Sequence, residues 1–331
     1  MRKKWIRGGI FLCLVLLLLN NLNRILCVKS PHGVDQTRYL YVQPKNKIDV
    51  LFLGSSHVHC NVNTQLLWDE YGMAAYLMTG AEQPLWNSYY NLKEALKTQK
   101  PKLVVLDMFC PSRFYDDFQP GWADENLDGM RISMNKLEAV YTSVQEEQSH
   151  FFLGFTEYHS RYDQLTAEDF HNFVWNRKTQ ERWKGYTPLN RHAELTEPDM
   201  SHVTTSQEMT EKSKEYFEKI VELTKKEGIT LALISGPYLL EERDQEVYNS
   251  IGQLAEKDGL LFWNTNTPAH YREMGLDFST DYADHAHLNE AGGAKYTAYL
   301  GKWLSQNYSF PDRRGQKGYE SWENQLMKSG E

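Results

Sequence analysis

Five short apolar runs, most of them separated by helix-like stretches, constrain this chain more than any other feature. Residues 48–53 read as a buried strand with Asp49 as the exception, and 74–78 as a second strand ending at Gly80. Residues 103–106 form a nearly pure aliphatic third run, and 230–234 and 260–263 supply a fourth and a fifth. These runs show little polar alternation, the pattern of strands buried on both faces. Between them lie helical patterns: one opening at Pro84 with Leu85, Tyr89, Leu92 and Leu96, a long amphipathic stretch over 204–226, another over 244–257, and a closing one over 290–304. Strands alternating with helices of this length predict an α/β fold, a three-layer sandwich with a mostly parallel central sheet.

The rhythm stops from about residue 110 to 201, where Trp, Tyr, Phe, Asp and His are dense and helices are expected over 130–145 and 166–178. Its aromatic content needs burial somewhere, so the stretch reads as an aromatic-rich insertion or lid, about 111–201, on the α/β core. The expected organisation is an N-terminal signal-anchor over 1–28, a polar linker without a strong helix pattern over 29–46, an α/β domain over 47–305 carrying the insertion, and a polar, peripheral tail over 306–331.

Arg2, Lys3, Lys4 and Arg7 precede an uncharged stretch from Gly8 to Leu19 that breaks into Asn20, Asn21, Leu22, Asn23 and Arg24. Basic residues before an apolar run hold that end in the cytoplasm and send the downstream chain across the membrane. No small-x-small cleavage site comes after the run, which favours an uncleaved anchor; secretion after cleavage is the alternative. Beyond residue 7 the chain carries 32 basic against 44 acidic residues, a net charge of −12. So acidic a domain is a poor ligand for nucleic acid through phosphate neutralisation. Of the four cysteines, Cys13 and Cys27 belong to the apolar segment and its edge, while Cys60 and Cys110 both follow expected core strands. A disulfide between these two and a pair of free buried thiols are both compatible with that placement.

In a parallel sheet, ligands bind beyond the carboxyl ends of the strands. Ser56, Gly80, residues 107–110, residues 235–237 and Asn264 all fall just past expected strand ends. A serine hydroxyl is a weak nucleophile at neutral pH and needs an adjacent base and a third group to orient that base. Asp284 and His287, three residues apart ahead of the closing helix, supply both. Ser56 is therefore the candidate nucleophile, His287 the general base and then acid, and Asp284 the group that holds the imidazole tautomer. The backbone N–H groups of Ser56 and Gly80 are the candidate oxyanion donors. A glycine at 80 permits a positive φ or a close substrate approach.

These residues resemble the blocks of the SGNH, or GDSL-like, esterase and acyltransferase superfamily. Gly54-Ser55-Ser56 stands where the family has its Gly-x-Ser nucleophile block, Gly80 at its second-block glycine, and Asp284-His285-Ala286-His287 at its Asp-x-x-His block, with Gly292 and Gly293 in the helix beyond it. The family's Gly-x-Asn-Asp after the third strand is missing; this chain has Leu106-Asp107-Met108-Phe109-Cys110. With its membrane segment, that departure resembles the membrane-anchored D-alanyl transfer protein of teichoic acid synthesis and the acetyltransferases of alginate and other exopolysaccharides. The resemblance implies transfer of a small acyl group, acetyl foremost, to cell-envelope glycan hydroxyls, or the matching ester hydrolysis. It also implies a multipass membrane-bound O-acyltransferase as partner, and it calls for no cofactor and no metal.

On that reading His57 caps or lines the pocket, and Asp107 binds a substrate hydroxyl or pairs with Arg113. Trp122, Tyr158, His159, Tyr162, Trp175 and Trp183 would form an acceptor groove, with Arg113, Arg161 and Lys184 meeting anionic groups on the polymer. Two other readings compete. His57, His59, His285 and His287 with Asp284 or Cys60 would make a zinc site, and a non-catalytic glycan-binding or scaffold protein would account for the missing asparagine.

Overall fold

The structure, a computed structural model, describes residues 2–26, 32–113, 120–146, 148–152, 159–167, 169–170 and 182–323. Tyr158, Trp175, Cys27, most of the helix expected over 166–178 and the last eight residues of the tail lie outside the described residues.

Five parallel strands form one sheet in the order β2-β1-β3-β4-β5: β1 Val50–Gly54, β2 Ala75–Thr79, β3 Leu103–Asp107, β4 Thr230–Ser235 and β5 Leu261–Asn264. The helices are α1 Arg2–Leu26, α2 Val34–Leu40, α3 Ser56–Asn61, α4 Thr64–Tyr71, α5 Leu85–Ala95, α6 Phe109–Arg113, α7 Pro120–Leu127 and α8 Met134–Ser143, followed by α9 Glu211–Glu227, α10 Glu242–Asp258, α11 Pro268–Met274, α12 Glu290–Asn307 and α13 Glu320–Glu323. The expected three-layer sandwich is what the chain forms, and the pleat explains it. Leu51, Leu53, Val104, Leu106, Leu231 and Leu233 point to one face, where α5, α9 and α10 bring Trp86, Phe217 and Ile251. Val50, Phe52, Val105, Ala232 and Ile234 point to the other, against Val58, Leu67, Tyr296 and Leu300 of α3, α4 and α12. Successive side chains alternate faces, so an unbroken aliphatic run fills both layers.

The order reverses at β1, which pairs with β2 on one side and β3 on the other. This is the switch point at which open α/β sheets place ligand crevices. Ser56 follows β1 and residue 108 follows β3, so the candidate nucleophile stands at that crevice.

Three expectations change. The linker contains α2, in which Gln36, Thr37 and Leu40 are buried. Gln36 Oε1 accepts from Thr79 N at 2.8 Å and from Thr79 Oγ1 at 2.9 Å, while its Nε2 donates to Gly185 O at 2.8 Å. A helix whose buried face is polar leaves no apolar period to read. The long helix starts at Glu211 instead of residue 204, because Thr210 caps it by accepting from Ser213 N. The tail is not peripheral. Arg313 reaches Asp49 with two hydrogen bonds of 2.7 and 2.8 Å, which explains an acid at the entrance to a buried strand. Trp322 is fully buried, and its Nε1 donates to Ala75 O at 3.0 Å on the outer side of β2. An edge strand left bare invites pairing with another chain; here side chains of the linker and the tail cover β2.

Helix α1 is 25 residues long and apolar enough to cross a membrane over Lys3–Asn23, the one such helix among the described residues. At 1.5 Å per residue it exceeds a hydrocarbon core of about 30 Å. Cys60 and Cys110 are both buried and both free.

Candidate active site

The strand-to-helix turn after β1 is tightly specified. Gly54 has φ 153, and a Cβ there would come within 2.6 Å of Asp107 Cβ and 2.9 Å of Val58 Cγ2, so only glycine fits. Ser55 caps α3 by accepting from His57 N at 3.3 Å. Its hydroxyl turns the other way and donates to Asp107 Oδ2 at 3.5 Å. Ser56 is then the first residue of α3, half-buried, with its hydroxyl facing His287.

The histidine arrives on a loop held from several sides. Tyr282 bridges Leu288, Ala283 N donates to His287 O at 2.9 Å, and Asn289 caps α12 by accepting from Gly292 N. Asn61, buried at the end of α3, accepts from Leu288 N at 3.1 Å. This bond joins the helix of the candidate nucleophile directly to the residue after the candidate base. The segment 187–195 straps the two parts together. Thr187 N donates to His59 O at 2.7 Å, Glu290 N to Leu189 O at 3.0 Å, and Ala193 N to Tyr282 O at 2.8 Å.

Within that frame His287 Nε2 lies 2.7 Å from Ser56 Oγ, and His287 Nδ1 lies 2.8 Å from Asp284 Oδ1. A proton on Nδ1 satisfies Asp284 and leaves Nε2 as acceptor for the serine hydroxyl, the arrangement that general-base activation requires. Asp284 Oδ1 also accepts from Ala286 N and His287 N, and Oδ2 accepts from Arg191 Nη2 at 2.7 Å. Partial burial would raise this carboxyl, but the bonds from His287 and Ala286 together with the Arg191 charge hold it well below the usual carboxylate range. The acid stays ionised across the neutral range.

Ser56, His287 and Asp284 are thus gathered at one place; the remaining candidates divide. His57 is 2% exposed, with its ring stacked on Phe109 at 3.4 Å and edge-on to Tyr238 at 4.9 Å. Burial, then the neighbouring His287, pushes its imidazole well below its ordinary value. It is a neutral ring packed under the site, and the cap of α3 is Ser55. Asp107 is buried beneath the nucleophile turn and does not pair with Arg113. Arg113 instead meets Glu241 at 2.9 Å and Asp244 at 3.5 Å, lying over Tyr238. Lys184 is buried too: its ammonium donates to Gln43 and Ser321 and sits 4.1 Å over the Trp322 ring, so it holds the tail instead of facing a polymer. Arg161 donates to Leu26 O at 2.5 Å and pairs with Asp169, at the end of the apolar helix. His159 is exposed on the 3₁₀ turn His159–Asp163. Of the aromatic groove, Trp183 packs against Tyr186, while Trp122 and Tyr162 are exposed.

Gly80 follows β2, and the space beside its Cα is filled: Asn126 Oδ1 lies 2.4 Å from where a Cβ would stand. The glycine therefore serves the close approach of Asn126, not a positive φ. Asn126 does not replace the missing asparagine as a donor, because its Nδ2 is engaged by Ala81 O at 2.8 Å and Trp122 O at 3.0 Å. Among the described residues, no group of three His, Cys, Asp or Glu side chains is placed to hold a metal. His59 is buried and stacked on His32 at 4.4 Å, with its Nδ1 3.2 Å from Thr79 Oγ1.

Arg191 and Asn61 escaped the sequence reading. Arg191 sits in a polar stretch with no local pattern, and Asn61 looks like any helix-ending asparagine; their roles exist only once distant segments meet.

Asp107 makes the stability of this turn depend on pH. Burial raises its carboxyl from 3.8 to about 7, against the hydrogen bonds from Phe109 N, Ser55 N and the Ser55 hydroxyl. A raised acid favours the protonated native state, so its contribution is complete below about pH 4 and is lost as pH rises toward 7. Asp107→Asn is expected to flatten the stability profile between pH 4 and 7 and to stabilise the protein at pH 7 by about 1–3 kcal/mol. Urea midpoints measured across that range check it; an unchanged slope would place the titration elsewhere.

No protein-family model matches this chain, and no curated protein matches it. Among solved structures, it is similar to a Bacteroides fragilis NCTC 9343 protein proposed to be an acylhydrolase, at 13% identity. The alignment covers 82% of this chain and 94% of the other, with a TM-score of 0.36. A likeness that distant carries no weight for chemistry.

Proposed function

We propose that the chain is a serine-dependent acyl-transfer enzyme of SGNH type, acting on hydroxyl groups of cell-envelope or exported glycans. The observation that supports this most is the continuous line of hydrogen bonds from Ser56 Oγ through His287 to Asp284, assembled from segments 231 residues apart. In the first step the Ser56 oxygen attacks the carbonyl of an ester donor while its proton passes to His287 Nε2. The tetrahedral oxyanion would be met by the backbone N–H groups of Ser56 and Gly80. Neither N–H is given to another backbone acceptor in the turns and loops among the described residues. Collapse expels the donor alcohol, which takes the proton from His287, and leaves an acyl-serine. In the second step a sugar hydroxyl, or water, gives its proton to His287 and attacks the acyl carbonyl; the bond to Ser56 Oγ breaks, and His287 returns the proton to the serine.

Helix α1 would anchor the domain to the extracytoplasmic face of the membrane, where a multipass O-acyltransferase is the natural source of acyl groups. The test is intact-mass spectrometry of the full chain in detergent with an activated acetyl ester, in the presence and absence of soluble glycan. One acetyl group is expected on Ser56, lost faster with a glycan that becomes acetylated. A folded protein that takes up no acetyl, or takes it up equally after Ser56→Ala, would point to the non-catalytic glycan-binding role.

A further inference from the structure

We infer that Arg191 forms a subsite for an anionic group of the acceptor, a carboxylate or a phosphate, beside the catalytic base; the inference rests on the acyl-transfer reading of Ser56, His287 and Asp284. Arg191 stands on the strap over 187–195 and touches Asp284 Oδ2 through Nη2 at 2.7 Å, yet its side chain is 65% exposed. A guanidinium carries five N–H donors in a planar fork. Among the described residues its only hydrogen bond is the one to Asp284, so the rest of the fork opens to solvent.

Three features make this more than a surface ion pair. Asp284 is already held by three donors on Oδ1, so an exposed arginine adds little to the orientation of the base. Solvent-screened pairs of this kind contribute little to stability. The fork is pinned at one nitrogen, and a pinned planar donor loses less freedom on binding a carboxylate or phosphate than a free lysine does. Finally, the cations expected from the sequence to meet an anionic polymer are engaged elsewhere: Arg113 with Glu241 and Asp244, Arg161 with Leu26 O and Asp169, and Lys184 under the tail. His192, the next residue on the strap, is exposed as well. On a domain whose net charge beyond residue 7 is −12, an exposed guanidinium beside Asp284 favours the approach of an anion there.

The experiment uses the full chain in detergent and matched acceptors: methyl glucoside against methyl glucuronide, and glycerol against glycerol 3-phosphate. Arg191→Gln is expected to raise KM for each anionic acceptor about tenfold more than for its neutral partner, with Arg191→Lys recovering part of the difference. Binding of the same four compounds to the Ser56→Ala chain and to Ser56→Ala/Arg191→Gln, followed by ligand-observed NMR, reads the subsite without turnover. A response to glucuronide alone or to glycerol phosphate alone supports the subsite and identifies the anion. Equal losses on neutral and anionic partners overturn it and leave Arg191 as a positioning residue for Asp284. Arg191-dependent anion binding without Ser56-dependent turnover supports the subsite while sinking the enzymatic reading.

Discussion

Ser56→Ala is expected to lower turnover of an activated acetyl ester by at least about 10⁴-fold, and His287→Ala by a similar factor, while both proteins remain folded. Ser56 is half-buried at the first position of α3, and among the described residues its hydroxyl has one partner, the imidazole. Losing it removes the proposed attacking atom without emptying the core. Asp284→Asn should cost about 10³–10⁴-fold through a different route. An amide nitrogen turned toward His287 would donate to Nδ1, driving the proton to Nε2 and presenting the serine with the wrong tautomer. It would also remove the negative partner of Arg191. The double variant Ser56→Ala/His287→Ala should lose little more than either single one, because the groups act as a unit. The measurements are kcat and KM with circular dichroism as the folding control. Additive losses, or a Ser56→Ala protein with half the wild-type rate, would remove the serine from the chemistry.

The second large effect is on stability. Trp322→Ala is expected to destabilise the protein by about 3–5 kcal/mol, a large part of what holds a domain folded. The indole is fully buried, packs near Trp68 and Tyr319, donates to Ala75 O, and lies under the Lys184 ammonium. Removing it opens a cavity and uncovers a buried cation at once, and leaves the Ala75 carbonyl without its indole donor. Trp322→Phe keeps most of the volume and should recover more than half of the loss. Urea unfolding of the two variants against wild type decides the matter. A loss under about 1 kcal/mol would show that the tail is an ornament on a core that closes without it.

What was legible in the residues and what was not divides along a physical line. Strand positions could be read because burial on both faces leaves an aliphatic run in the chain itself, and the observed strands lie within two residues of those runs. The serine, acid and histidine could be placed because each stands beside a recognisable strand end or helix start. Gln36, Asn61, Lys184 and Arg313 left no such mark. Each is a polar side chain whose burial or pairing depends on a partner far along the chain, such as Gly185, Leu288, Ser321 or Asp49. A polar residue is written into a sequence identically whether it faces water or a distant carbonyl. For the same reason the tail, polar by composition, gave no sign that Trp322 closes the sheet.

The separation of Ser56 and His287 has a consequence for how such a chain comes into being. Helix α3 with Ser56 emerges early, but His287 comes 231 residues later, and the docking tail later still. During synthesis the serine would therefore be an ordinary hydroxyl, without the imidazole beside it. On the proposed acyl-transfer reading, reactivity would switch on only when nearly the whole polypeptide has been made and the loop before α12 has closed over α3. The moment at which the chain becomes reactive would then be set by one event, the arrival of its last quarter.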